Sequence, residues 1–320
     1  MLGMANQEER ISYSVVAPAR SHACSPCSVT EARSPPALCI ISIQIQAHLD
    51  CLFPEMPTLP PELEREIFEV AIRDNLSDTA LKLNLSLVAR RVQYWIDLIQ
   101  YEMVTITNRV EAHKFFDLVN WKSQDFFAHA VKATCITYYV PADEASRILS
   151  VCSNVQQLAC WVPWEKSPDL PQLLSRLPLT HLSIEVGHFL NIPRSQSTWF
   201  LGLTHLDLIW WSSSPRTTSP NLGELPNLTH VSLSGAGRSE ARSVCLNCAS
   251  LQVLLILTIP RWETEEEYTF DARIVLAAGD FAEDGDVVEI WKHGVWGRPG
   301  SIWAYAEDIL LERKQKPDCL

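Results

Sequence analysis

Three stretches of the chain read almost alike: LTHLSI at 179–184, LTHLDL at 203–208 and LTHVSL at 228–233. VQQLAC from Val155 and LQVLLI from Leu251 keep the same frame, so five starts are separated by 24, 24, 25 and 23 residues. CITYYV at Cys135 stands 20 residues before the first, and RIVLAA at Arg273 stands 22 after the last. A period in the twenties with apolar residues at L-x-x-L-x-L describes a short strand followed by a helix or turn. No such unit can bury its apolar face alone, so the units stack and their strands form a parallel sheet. The segments between them fit: 143–152 (DEASRILSVC), 169–177 (DLPQLLSRL) and 240–248 read as amphipathic helices.

Alternation along a strand assigns faces. If Leu182 and Ile184 enter the core, then His181, Ser183 and Glu185 face the other, concave side. The same frame places His205, Asp207 and Ile209 on the next rung and His230, Ser232 and Ser234 on the one after, with Gln157, Ala159 and Trp161 preceding them. The three histidines therefore form a column with rungs about 4.8 Å apart. This face is read as the substrate-binding surface, with Trp161, His181, Glu185, His205, Asp207 and His230 as its residues. A solvated face with Thr-His as filler is the plain alternative. Trp161–Trp164 (WVPW), Trp199 and Trp210-Trp211 gather at strand exits, where aromatics either anchor a partner or pack loops.

Ahead of the repeats, 59–106 reads as two amphipathic helices. Pro60-Pro61 opens the first, where a missing N–H is harmless, and Glu62 and Glu64 suit the positive end of a helix. Leu63, Ile67, Val70 and Ala71 give one apolar face. Leu81, Leu85, Val88, Val92, Trp95, Ile96 and Ile99 continue the period after a break at 75–78. A strand at 102–107 (EMVTIT) and a helix at 109–120 then lead into the repeats. So small a helical pair needs something to cover its apolar faces.

LPPELEREIF at 59–68, with LSLVARRVQYWI at 85–96, resembles an F-box of the divergent form found in large basidiomycete-type fungal families. Glu64 stands where a second leucine is common, and Trp95 lies later than the family's tryptophan. The remainder of the chain resembles the leucine-rich-repeat-like region of such proteins. The fold expected is thus α/β: an N-terminal helical F-box-like pair, then an irregular leucine-rich-repeat-like solenoid with a parallel sheet. Residues 1–53 are expected to be a disordered leader, 54–106 the helical module, and 107–320 the solenoid, closed by a capping helix at 304–314. The resemblance implies a non-enzymatic substrate receptor of a cullin-RING (SCF-type) ubiquitin ligase. Leu59, Pro60, Leu63, Ile67, Phe68, Leu85 and Val88 would face the Skp-type adaptor, and the repeats would hold a protein substrate. The competing reading is an interaction scaffold whose helical pair folds back as a cap. An unrecognised hydrolase or metal enzyme is the third.

Composition bounds these readings. The chain has 320 residues, 47% apolar, with 11 tryptophans and a net charge of −12. That charge opposes nucleic-acid binding, which rests on Lys and Arg neutralising phosphates. Ten Asp or Glu against one Arg fall between Trp262 and Glu289. No apolar run reaches the roughly 18 residues of a membrane span. The start, MLGMANQEER, is polar rather than leader-like, and the ten cysteines are scattered, which points to reduced thiols in cytoplasm or nucleus. Cys24-x-x-Cys27 lacks the patterned companion ligands of a zinc site, and Cys245-x-x-Cys248 lies in a repeat's helix, where it fills core rather than forming the redox motif of a thioredoxin-like unit. With 11 glycines there is no phosphate loop, and no HExxH or nucleophile elbow occurs. No cofactor, metal or catalytic residue is expected.

Overall fold

The computed structural model describes residues 59–75, 78–163, 169–194, 197–211, 220–259, 263–277, 287–297 and 300–315. The expected leader, its CxxC and the acidic run at 280–286 lie outside them. The chain divides into two compact units, Met1–Leu59 and Pro60–Leu320, and every element below belongs to the second.

Eight strands form one open sheet: β1 Met103–Ile106, β2 Ala133–Ile136, β3 Gln157–Cys160, β4 His181–Glu185, β5 His205–Ile209, β6 His230–Ser234, β7 Val253–Thr258 and β8 Ile274–Leu276. All neighbours are parallel and the order across the sheet is the order along the chain. The repeat frame predicts this register: His181 pairs His205, and His205 pairs His230. The sheet begins earlier than expected. Residues 103–106, placed with the helical module, are its first strand.

Leu158, Leu182, Ile184, Leu206, Leu208, Val231, Leu233, Leu254 and Ile256 send their side chains into one core. On that side lie α4 Arg109–Lys122, α5 Gln124–Ala130, α6 Ala142–Val151, α7 Leu170–Leu174, α8 Val186–Leu190 and α9 Arg238–Asn247. Their inward residues, among them Phe115, Phe127, Ile148, Leu149, Leu174 and Val244, close the core. After β6 the chain turns at Gly235, φ +77°, where an added Cβ would stand 2.8 Å from the Trp210 carbonyl oxygen.

The helical module contains three helices, not two: α1 Pro61–Arg73, α2 Thr79–Ser86 and α3 Arg90–Gln100. Asp78 caps α2 by accepting from the Leu81 N–H, and Ala89 is extended before α3. The break lets Leu85 and Ala89, as well as Val92, Ile96 and Ile99, turn toward Phe68 and Ile72 of α1. A straight helix would carry one end away from so short a partner.

Of the last helices, α10 Val287–Val295 and α11 Ile302–Gln315, the second spans the helix expected at 304–314 and packs on the last two strands, β7 and β8. Both helices lie on the face of the sheet opposite the main core. Ile302, Trp303, Tyr305, Ala306, Ile309 and Leu310 of α11 cover Val253, Leu255, Val275 and Ala277. Val288 and Trp291 of α10 pack with Cys135, Ala159 and Trp161.

Candidate functional site

Two places draw the functional side chains together. The first is the outer face of the helical module. Pro61 sits in the first turn of α1, with Glu62 and Glu64 beside it. Glu64 also accepts two bonds from Arg91, 2.8 and 3.0 Å, which holds α1 against α3 and raises the Arg91 pKa. Inside, Ile72, Val92, Ile96 and Ile99 are buried. Outside, Leu63, Ile67 and Val70, spaced at four and three residues, are 48, 55 and 52% exposed. Val88 is 60% exposed, Leu59 is 55%, and Pro60 is exposed. Phe68 and Leu85, expected on the adaptor side, are half-buried and pack inward against the module's own core, as Phe68 does with Trp95 at 6.4 Å.

The second place is the histidine column. The rings of His181 and His205 stack with centroids 4.1 Å apart, and those of His205 and His230 at 4.4 Å. Each histidine follows a threonine whose hydroxyl lies 3.0, 2.9 and 2.8 Å from its Nδ1. The same hydroxyls lie 3.2 Å from carbonyl oxygens of the preceding rung. Those carbonyls already accept two backbone N–H groups each. A hydroxyl that donates to Nδ1 leaves the neutral ring its own proton on Nε2, the tautomer that the contact of His230 Nε2 with a carboxylate oxygen fits. His230 gives that proton to Glu307 Oε1 of α11, at 3.1 Å. Nε2 of His181 and of His205 has no protein partner among the described residues. Burial, with the neighbouring imidazoles adding to it, lowers their pKa values to about 4 and about 3. Burial also lowers that of His230, against the pull of Glu307.

Two residues further along, Trp161 Nε1 donates to Ser183 Oγ at 2.8 Å, and Ser183 donates to Asp207 Oδ2 at 2.5 Å. Burial raises the Asp207 pKa, with the Ser183 bond opposing it. Asp207 Oδ1 and its neighbour Ser232 Oγ are closed to solvent, and the Ser232 hydroxyl, like that of Ser183, holds the Asp207 pKa down.

The expected concave residues do share one side, but they do not form an open surface. Trp303 of α11 stands edge-on to His205 and His230, 5.2 and 5.7 Å between centroids. His230 and Trp161 are buried. Glu185 is fully buried and its carboxylate accepts the His188 N–H at 3.1 Å, capping α8. What remains between the sheet and α10–α11 is a cavity of about 340 Å³, lined by His181, His205, Asp207 and several tryptophans.

Of the exit tryptophans, Trp199 is buried and donates to the Leu174 carbonyl at 3.0 Å. Trp164 lies outside the described residues. The exposed aromatics at strand exits are instead Tyr138 and Tyr139, which sequence reasoning passed over. Cys248 is buried, and burial raises the thiols of both Cys245 and Cys248. Among the described residues no group of three or more His, Cys, Asp or Glu is placed to hold a metal ion, and no helix is long and apolar enough to cross a membrane.

Fold and site define a class: an α/β protein with a single open parallel sheet built in chain order, and a cavity held between that sheet and its own C-terminal helices. No protein-family model, no curated protein and no solved structure matches the chain.

Proposed function

We propose that the protein is a non-enzymatic substrate receptor of a cullin-RING ubiquitin ligase, with α1–α3 as an F-box-like module for a Skp-type adaptor and the sheet as a leucine-rich-repeat-like solenoid. It would act in cytoplasm or nucleus. The observation that carries this reading is the exposed stripe of Leu63, Ile67 and Val70 on a helix whose other face is already packed. A fold-back cap would have buried that stripe. Because α10 and α11 roof the histidine column, the protein substrate is assigned to the exposed strand exits around Tyr138 and Tyr139 rather than to the column.

Co-purification with the Skp-type adaptor tests the reading. Wild type retains the adaptor, and Leu63→Asp with Ile67→Asp loses it while circular dichroism stays unchanged. Failure of wild type to retain it, or retention by the double variant, overturns this reading.

A further inference from the structure

We propose that the cavity beneath α10 and α11 binds a small, flat, uncharged aromatic molecule through a hydrogen-bond-accepting oxygen, such as a carbonyl. This does not rest on the ligase reading. Its volume, about 340 Å³, falls in the range of small-molecule sites, which are mostly apolar with a few convergent polar groups. Trp161, Trp211, Trp291 and Trp303 line it, and aromatic walls favour offset or edge-on contact with a flat ring.

The polar groups select the rest. His181 and His205 line the cavity, and in the tautomer that His230 adopts against Glu307 the Nε2–H of each is a donor without a protein acceptor among the described residues. Their neighbour His230 shows the same donor satisfied, by a carboxylate oxygen of Glu307 at 3.1 Å. A ligand oxygen would do for the two inner rings what Glu307 does for the outer one. No lysine or arginine among the described residues lines the chamber, so nothing there would neutralise an anion. Asp207 is the one carboxyl group among the described lining residues and is engaged by Ser183, while the stacked rings oppose a cation beside it, since adding positive charge among close imidazoles in an apolar site is unfavourable.

Isothermal titration at pH 7 with the full chain tests this, using coumarin as the neutral flat carbonyl probe and coumarin-3-carboxylate as its anionic counterpart. Coumarin is expected to bind one site with a dissociation constant below about 1 mM, and the carboxylate at least about tenfold more weakly. His205→Phe keeps a ring in the stack but removes the donor, and should weaken coumarin about fivefold. Ile290→Trp fills the opposite wall and should abolish binding. Absence of saturable binding, equal affinity for the anion, or unchanged coumarin binding in both variants overturns the proposal.

Discussion

Glu307 on α11 holds Oε1 3.1 Å from Nε2 of His230 on β6, which fastens the roof helix to the outermost ring of the imidazole stack. That stack gives the fold a defined acid sensitivity. His181 and His205 have pKa values of about 4 and about 3 in the fold, against an ordinary 6.5. Below pH 6.5 the unfolded chain takes up protons that the folded chain refuses. Their contribution is thus whole above pH 6.5, declines as pH falls toward 4, and for His205 continues toward 3. Moving from pH 7.5 to pH 5 should cost about 2 kcal/mol in unfolding free energy from each of these rings, on the order of 4 kcal/mol together. Urea unfolding at the two pH values measures it. His205→Phe should flatten the dependence, and an unchanged slope would show that the stack is not its source.

Trp303 should matter more than its partial exposure suggests. It stands edge-on to two rings of the column and belongs to the apolar face that covers Val253 and Leu255. Trp303→Ala should destabilise by about 3 kcal/mol, and Trp303→Phe by less. Hydrogen exchange offers a sharper readout. Amides of α11 should exchange faster in Trp303→Ala while those of β4 and β5 stay protected.

The sheet is legible because its signal is repetition. Leu182, Leu206 and Val231 recur in one frame, and chemistry at the intervening positions does not disturb it. The roof escapes the repeat frame, yet its signal is present. In VLLILT of β7 both faces are apolar, where the LTH strands alternate. A run apolar on both faces needs cover on both. Val253 and Leu255, in register with His230 and Ser232, require a layer over the concave side, and α11 is that layer. Glu185 departs from the expected open face for a local reason. As the last strand residue it is taken by the N-terminus of α8, a demand that alternation alone does not reveal. The break between α2 and α3 carries no Gly or Pro, so it follows from packing rather than from any residue at the break.

Two isoleucines five positions apart on α1 separate structural from recognition roles. Ile72 is fully buried with Val92 and Ile96, whereas Ile67 is 55% exposed. Ile72→Ala should cost about 2–5 kcal/mol, and Ile67→Ala less than about 0.5 kcal/mol. Denaturant midpoints compare them directly. A large loss at Ile67 would mean that the outer stripe is covered in the folded chain, which removes the argument for a free docking face.

Arg273 links the end of α9 to the start of β8, and only a guanidinium can make all of its bonds. Its Nε and Nη2 grip Asp271 at 2.9 and 2.7 Å. Nη2 also reaches the Cys245 carbonyl oxygen at 2.9 Å, in the last turn of α9, where carbonyls lack helical partners. A lysine offers one point of charge with no planar fork, so it can keep Asp271 or the carbonyl but not the geometry of both. Arg273→Lys should therefore cost about 1–2 kcal/mol. Arg273→Met should cost more, because it strands Asp271 as well. If thermal unfolding of Arg273→Lys matches wild type, charge alone secures this corner and the forked bonding contributes little.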